Sequence, residues 1–150
     1  MIIPRLNRGA PERIFIACYN DSGSALSKGQ LVCFSCDGTR DGYEITDPTA
    51  ALNPLTAGLA HATTANGDYG LVQIYGLDDD ALILKCGTAS NANGAIGDCL
   101  VMHSAISGLS GSAVGSDAKG MGSYWFALGE TMASSSATAT TTAKVFIRCM

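Results

Sequence analysis

The pair Asn66-Gly67 lies inside the stretch AGLAHATTANGDYGLVQIYG, Ala57 to Gly76, and constrains the fold more than any other local signal. Both residues tolerate positive φ, so the pair favours the tight turn of a β-hairpin. Ala65-Asn66-Gly67-Asp68 reads as the turn, Gly58-Leu59-Ala60 as the start of the incoming strand, and Tyr69 to Tyr75 as the outgoing strand, closed by Gly76. Strand alternation puts Val72 and Ile74 on one face and Leu71, Gln73 and Tyr75 on the other. The first face is expected to be buried, and the second to contact something else.

The remainder of the chain reads in the same short units. Strands are expected over Arg13–Tyr19 (RIFIACY), Gln30–Ser35, Tyr43–Thr46, Ala81–Cys86, Asp98–Ser104, Tyr124-Trp125-Phe126 and the terminal AKVFIRC. Between them lie turn signals such as NDSGSA, Asp37-Gly38, Asp41-Gly42 and Asp47-Pro48. No segment carries a long apolar period of 3.6 residues, the mark of an amphipathic helix. Many short strands with turns about every 8 to 12 residues predict an all-β small barrel or sandwich. The 150 residues suffice for one core without staples, and the division expected is an arm over 1–13 and a single β-barrel domain over 14–150.

The arm is set apart by its charge. Pro4, Gly9 and Pro11 interrupt regular structure, Arg5, Arg8 and Arg13 concentrate positive charge, and Ile2 and Ile3 lead it. Such a segment is either a frayed end or an arm that docks on an acidic partner surface, for instance by strand addition. The whole chain carries a net charge of −4, which disfavours wholesale nucleic-acid binding, because phosphates need a basic field. No apolar run approaches the roughly 20 residues of a membrane-spanning helix, and MIIPRLNRGAPER lacks the apolar core of a secretory signal. Charged residues make up only 15% of the chain, against about 25% in ordinary globular domains. A surface so rich in Ser, Thr, Ala, Gly and Asn is expected to be covered in part by other subunits or a larger assembly.

Residues able to carry chemistry do not gather into a known pattern. The six cysteines, Cys18, Cys33, Cys36, Cys86, Cys99 and Cys149, lie mostly in apolar runs and read best as free, buried small hydrophobes; disulfides remain an alternative. Cys33-x-x-Cys36 has no second pair and no nearby histidines, which argues against zinc. His61 and His103 stand outside any HExxH context, and no G-x-S-x-G nucleophile elbow occurs. Asp78-Asp79-Asp80 does not match a calcium loop and reads as a solvated acidic turn in a loop over Leu77–Asp80. The glycine-rich stretch 108–122 lacks the Gly-Lys-Ser/Thr of a phosphate loop and reads as a surface loop. Tyr124, Trp125 and Phe126 are the aromatic cluster; with Tyr69 and Tyr75 they are the expected subunit-interface residues, stacking on a sugar or base being the alternative. No cofactor, metal site or catalytic residue is expected. The turn Asn66-Gly67-Asp68-Tyr69-Gly70 faintly resembles that of the trimeric dUTPase-type hydrolases, but the C-terminal AKVFIRCM is a plain strand and not their glycine-rich phosphate motif.

The two halves echo each other. SKGQLVCFS (27–35) parallels AIGDCLVMHS (95–104), and 57–76 parallels 127–149, with Val72 and Ile74 corresponding to Val145 and Ile147 in matching parity. The expectation is a two-fold repeated β motif closing on itself.

Taken in order, Ser27-Lys28-Gly29-Gln30-Leu31-Val32, Ala57-Gly58-Leu59-Ala60, Ala65 to Gly76, Ala127-Leu128-Gly129 and Val145-Phe146-Ile147 resemble the glycine and small-residue pattern of tailed-phage head decoration, or cement, proteins. The resemblance covers roughly residues 25 to 149 and leaves out the arm and the loop 105–122. It implies a compact β-barrel or β-tulip, a homotrimer at local and quasi-three-fold positions of the shell, and the major capsid protein as partner. It also implies a place on the outer capsid surface of the virion, after synthesis in the host cytoplasm, with no enzymatic role. On that reading Ile2, Ile3, Arg5, Arg8 and Arg13 form a capsid-binding arm. A glycan-binding head-fibre or tail module is the alternative.

Overall fold

The structure, a computed structural model, describes residues 12–35, 43–48, 55–85, 99–103, 108–111, 124–127 and 139–149, with side chains for 12–35, 43–48, 55–83 and 142–149. Every regular element among them is a strand: β1 (Ile14–Asn20), β2 (Leu31–Phe34), β3 (Glu44–Thr46), β4 (Thr56–Ala60), β5 (Tyr69–Lys85), β6 (Cys99–His103), β7 (Gly108–Gly111), β8 (Tyr124–Ala127) and β9 (Ala139–Arg148). The all-β barrel expected from the turn spacing is the observed fold.

The first five strands close on themselves in the order β1-β3-β2-β4-β5, with β5 pairing back onto β1. Closure removes the open edges through which sheets aggregate. The β4–β5 connection contains the expected tight turn, with Asp68 N–H donating to the Ala65 carbonyl at 3.2 Å. Inside this barrel pack Cys18, Leu26, Val32, Ile45, Ala57, Ala60 and Val72, with Ile16, Phe34 and Ile74 at the margin. All five strands contribute, which is what a filled small barrel requires.

At 17 residues, β5 is too long for one barrel. Its first half is flanked by β1 on one edge and β4 on the other, and its second half by β7 and β9. The changeover falls at Tyr75-Gly76, where Tyr75 pairs with Ile14 and Arg148 and Gly76 with Ile147. Gly76 holds φ +103°, and a β-carbon there would lie 2.1 Å from the Glu12 carbonyl oxygen, so only glycine fits where the chain enters β1. Beyond this point the pairings run β5-β7-β6-β8-β9 and return to β5.

A second core lies between these circuits. Leu31 and Leu59, cross-strand partners on β2 and β4, point out of the barrel and pack with Ala81, Ile83, Val145 and Ile147. Strands β2 and β4 are therefore buried on both faces, which is why Leu31, Val32 and Cys33 are all apolar rather than alternating. Val72 lies in the first core, with Ile74 packed against it, and Val145 and Ile147 in the second. The two echoing stretches of sequence run partly through residues outside the described set.

The structure corrects the reading of Leu77–Asp80 as a loop. These residues continue β5 through a bulge between Asp78 and Ala81. The Asp78 carboxylate turns inward and accepts the Asp80 N–H at 2.8 Å, satisfying the backbone that the bulge frees. Similarly, Gly108–Gly111, expected as part of a loop, pairs as β7 with β5 and β6.

Candidate interaction surface

Three groups of side chains decide what the described surface presents: a clasp along the bulge of β5, a buried polar staple at one barrel end, and an uncovered face on β1 and β5.

The clasp forms because the bulge throws Asp79 and Asp80 outward. Asp79 meets Arg13 at 3.3 Å and Lys144 at 3.8 Å, and Asp80 meets Lys28 at 2.6 Å. The Asp80 carboxylate also raises the Lys28 ammonium above its ordinary range, first through their hydrogen bond and then through charge. These ion pairs are largely in solvent, which screens them, so they fasten the bulge only weakly. Backbone hydrogen bonds do more of the fastening. In the turn before β2, Gly29 N–H donates to the Ala60 carbonyl at 2.8 Å, and the Gly29 carbonyl accepts from Leu82 N–H at 2.9 Å.

The staple is Asn20. Its Nδ2 donates to the carbonyls of Ser24 (2.8 Å) and Thr64 (3.0 Å), and its Oδ1 accepts the Ser22 N–H at 3.0 Å. Its backbone bonds Asp68 and Gly67. One fully buried amide thus ties the turn after β1 to the hairpin turn before β5. Asn66, the residue that signalled the hairpin, accepts the Gly23 N–H on its Oδ1 at 2.9 Å and adds a second tie.

The uncovered face follows from register. Tyr19 pairs with Tyr69, Ala17 with Leu71 and Phe15 with Gln73, so these side chains share the outside of the barrel. Tyr69 is 69% exposed and Leu71 49%. The Tyr19 and Tyr69 rings meet edge to face at 5.4 Å, and Phe15 packs against the His61 ring at 4.8 Å. Gln73 is different: it is fully buried, its Nε2 donates to the Tyr75 and Leu77 carbonyls, and its Oε1 has no partner among the described residues. Alternation alone could not show this: Gln73 sits directly opposite Leu59 of β4, a residue of the second core.

Of the expected interface residues with described side chains, Tyr69 is exposed, and Tyr75 is half-buried, edge to face on Phe146 at 5.3 Å. Tyr124, Trp125 and Phe126 form β8, paired to β6 and β9. Arg13 lies against the bulge in its pair with Asp79. Ile2, Ile3, Arg5 and Arg8 lie outside the described residues. Reasoning from the sequence missed Asn20 and Gln73, since neither a motif nor periodicity marks a buried amide.

Cys18 and Cys33 are fully buried and Cys149 is half-buried, and none of the three is in a disulfide. Burial pushes the thiols of Cys18 and Cys33 up to about 11. In the native protein at pH 8, peptide mapping after alkylation should find both unmodified, with full labelling only in denaturant. An unfolded thiol ionises near 9 while these stay protonated to about 11, so the stability they lend is complete below pH 9 and falls as pH rises through that window. A denaturant midpoint that held constant from pH 8.5 to 10.5, roughly that window, would contradict this.

Compared with known proteins, the chain matches no protein-family model and no curated protein. No three His, Cys, Asp or Glu side chains converge among the described residues in a way that would hold a metal ion.

Proposed function

We propose that this chain is a non-enzymatic structural protein of a tailed-phage particle. It binds the outer face of the capsid as a homotrimer at three-fold or quasi-three-fold positions and stabilises the shell. The observation that carries the reading is the ordered pattern Ser27–Val32, Ala57–Ala60 and Ala65–Gly76, whose resemblance to decoration proteins falls on strands and turns of one closed β-barrel. The charge-poor composition and the exposed Tyr69–Leu71 face support it, since both suit a protein that works while covered.

The physics of such a role is mass action. A protein that binds assembled shell but not free subunits stabilises the shell by its binding free energy, and many identical weak contacts add over a lattice. The arm, with Ile2, Ile3, Arg5 and Arg8, is proposed as the capsid-binding segment, with the major capsid protein as partner. Arg13 belongs to the barrel side of that boundary, because its guanidinium is engaged by Asp79.

The test is the copy number of the chain relative to the major shell protein in density-purified virions. A stoichiometric ratio supports the reading; absence from particles refutes it. Removing residues 1–11, which spares the Arg13–Asp79 pair, is expected to lower capsid occupancy while leaving the thermal melt unchanged. Undiminished occupancy would remove the arm from the mechanism. A glycan-binding head-fibre module is the second reading, favoured by the exposed Tyr69 ring; a few copies per particle together with a hit on a glycan array would select it.

A further inference from the structure

The pairing circuits allow a comparison within the chain. In the barrel the first strand is parallel to the third, and the remaining pairs, second–third, second–fourth, fourth–fifth and fifth–first, are antiparallel. In the circuit begun by the second half of β5, the same order holds: β5–β7 is parallel, and β6–β7, β6–β8, β8–β9 and β9–β5 are antiparallel. The first half of β5 therefore has β9 as its counterpart, and the inward residues Val72 and Ile74 match Val145 and Ile147. The outward residues match in turn: Leu71 with Lys144, Gln73 with Phe146, Tyr75 with Arg148.

These outward sets differ in chemistry. On the first half of β5 the exposed positions are Tyr69 and Leu71, on β9 they are Thr142, Lys144 and Arg148. The fold alone thus does not demand an apolar residue at position 71, since the equivalent place tolerates a cation. The rim differs as well. The barrel end next to Tyr69 is built from 20–26, 43–48 and 61–70, which carry Asp21, Asp47 and Asp68 and no lysine or arginine. Asp68 follows from the hairpin turn and Asp21 from the Asn20 staple, whose backbones are bonded together at 2.9 Å.

We infer that the outer face of β1 and the first half of β5 is the contact surface for a second copy of this chain, seated by that copy's β9 face. The complementarity is both apolar and electrostatic. The alkyl stems of Lys144 and Arg148, with the Phe146 ring between them, cover Tyr69 and Leu71; the Arg148 guanidinium reaches the Asp21–Asp68 rim, while the Lys144 ammonium stays beside Asp79 of its own chain at 3.8 Å. A guanidinium over a tyrosine ring adds a cation–π contact. Because the two faces differ, the contact is heterologous, and it builds a ring of copies where its rotation closes, as the three-fold reading requires. The inference deepens the self-association in the proposed function and is tested without any capsid.

The test is the mass of the purified full chain by light scattering and native mass spectrometry over a concentration series. The wild-type chain is expected to associate. Leu71→Arg, at a half-exposed site, and the Asp21→Lys/Asp68→Lys variant should each raise the dissociation constant at least about tenfold, as buried hot-spot contacts do. The Lys144→Gln/Arg148→Glu variant should do the same. Mixing the acid-swapped and cation-swapped variants should restore association, because each supplies the face that the other lacks; a variant that was merely misfolded would not be rescued. A wild-type chain monomeric throughout overturns the inference, as does an oligomer whose mass none of these substitutions changes or a mixture that stays dissociated. Such failures leave the virion copy number untouched, and a low copy number leaves this contact intact.

Discussion

Gly29→Ala is expected to destabilise the protein by about 3 kcal/mol or more, from the sum of backbone strain and overpacking. Gly29 holds φ +75°, and a β-carbon there would lie 2.0 Å from the Asp80 carbonyl oxygen. That atom is backbone in the bulge of β5 and cannot rotate away. Relief requires moving the turn off β5, which breaks the Leu82 N–H to Gly29 carbonyl bond and loosens Leu31 in the second core. The neighbouring Lys28→Ala removes only a solvent-screened ion pair and is expected to leave stability nearly unchanged. Chemical denaturation of both variants checks the contrast. Equal midpoints would show that the turn relaxes more freely than the packing around it implies.

Asn20→Asp is expected to cost about 3 kcal/mol at neutral pH, from one nearly isosteric change. The amide nitrogen that donates to the Ser24 and Thr64 carbonyls becomes an oxygen facing two oxygens, and a charge enters a site with no solvent exposure. Asn20→Ala should be the milder change, because it leaves polar groups unpartnered without adding repulsion. The Asp variant should regain stability on acidification, since a protonated carboxyl can again donate one hydrogen bond. Denaturation curves at neutral and at mildly acidic pH separate the variants, because burial raises a carboxyl's titration above its ordinary value of about 4. An Asp variant as stable as wild type at pH 7 would mean the staple is not closed in solution.

The sequence made some of this legible and hid the rest, for physical reasons. Asn66-Gly67 announced its hairpin because φ > 0 selects so few residues. Val72, Ile74, Val145 and Ile147 announced their inward faces through simple alternation. Gly29 and Gly76, two glycines of the pattern resembling decoration proteins, mark places where another backbone passes too close for a β-carbon. Their spacing thus records the geometry of the fold first, and anything functional only through it. The Asp78-Asp79-Asp80 run was misleading, because consecutive carboxylates suggest a turn; the bulge, which lets Asp78 accept the Asp80 N–H, and the cations of Arg13, Lys28 and Lys144, far off in sequence, accommodate them in a strand. Asn20 could not be read at all, since its partners, Ser24 and Thr64, come together only when the barrel closes. The exposed face was half legible: alternation grouped Leu71 with Gln73, and strand register alone separates the exposed one from the buried one.

The continuity of β5 has a consequence for the order in which this protein acquires structure. All five strands of the barrel precede Gly76 in the chain or end there, so the barrel can close early during synthesis, before β6 to β9 exist. The second half of β5 then emerges as a strand with both edges unpaired. Its longest partner, β9, is the last of the nine described strands to be made, pairing from Lys85↔Ala139 to Tyr75↔Arg148. For that interval the nascent chain presents a sticky template of the kind that recruits other chains. The run Asp78-Asp79-Asp80 sits in the middle of it. Arg13 and Lys28 precede Asp79 and Asp80 in the chain and can pair with them at once, whereas Lys144 joins Asp79 only with β9; charges set on an edge in this way oppose its pairing with a strand of another chain.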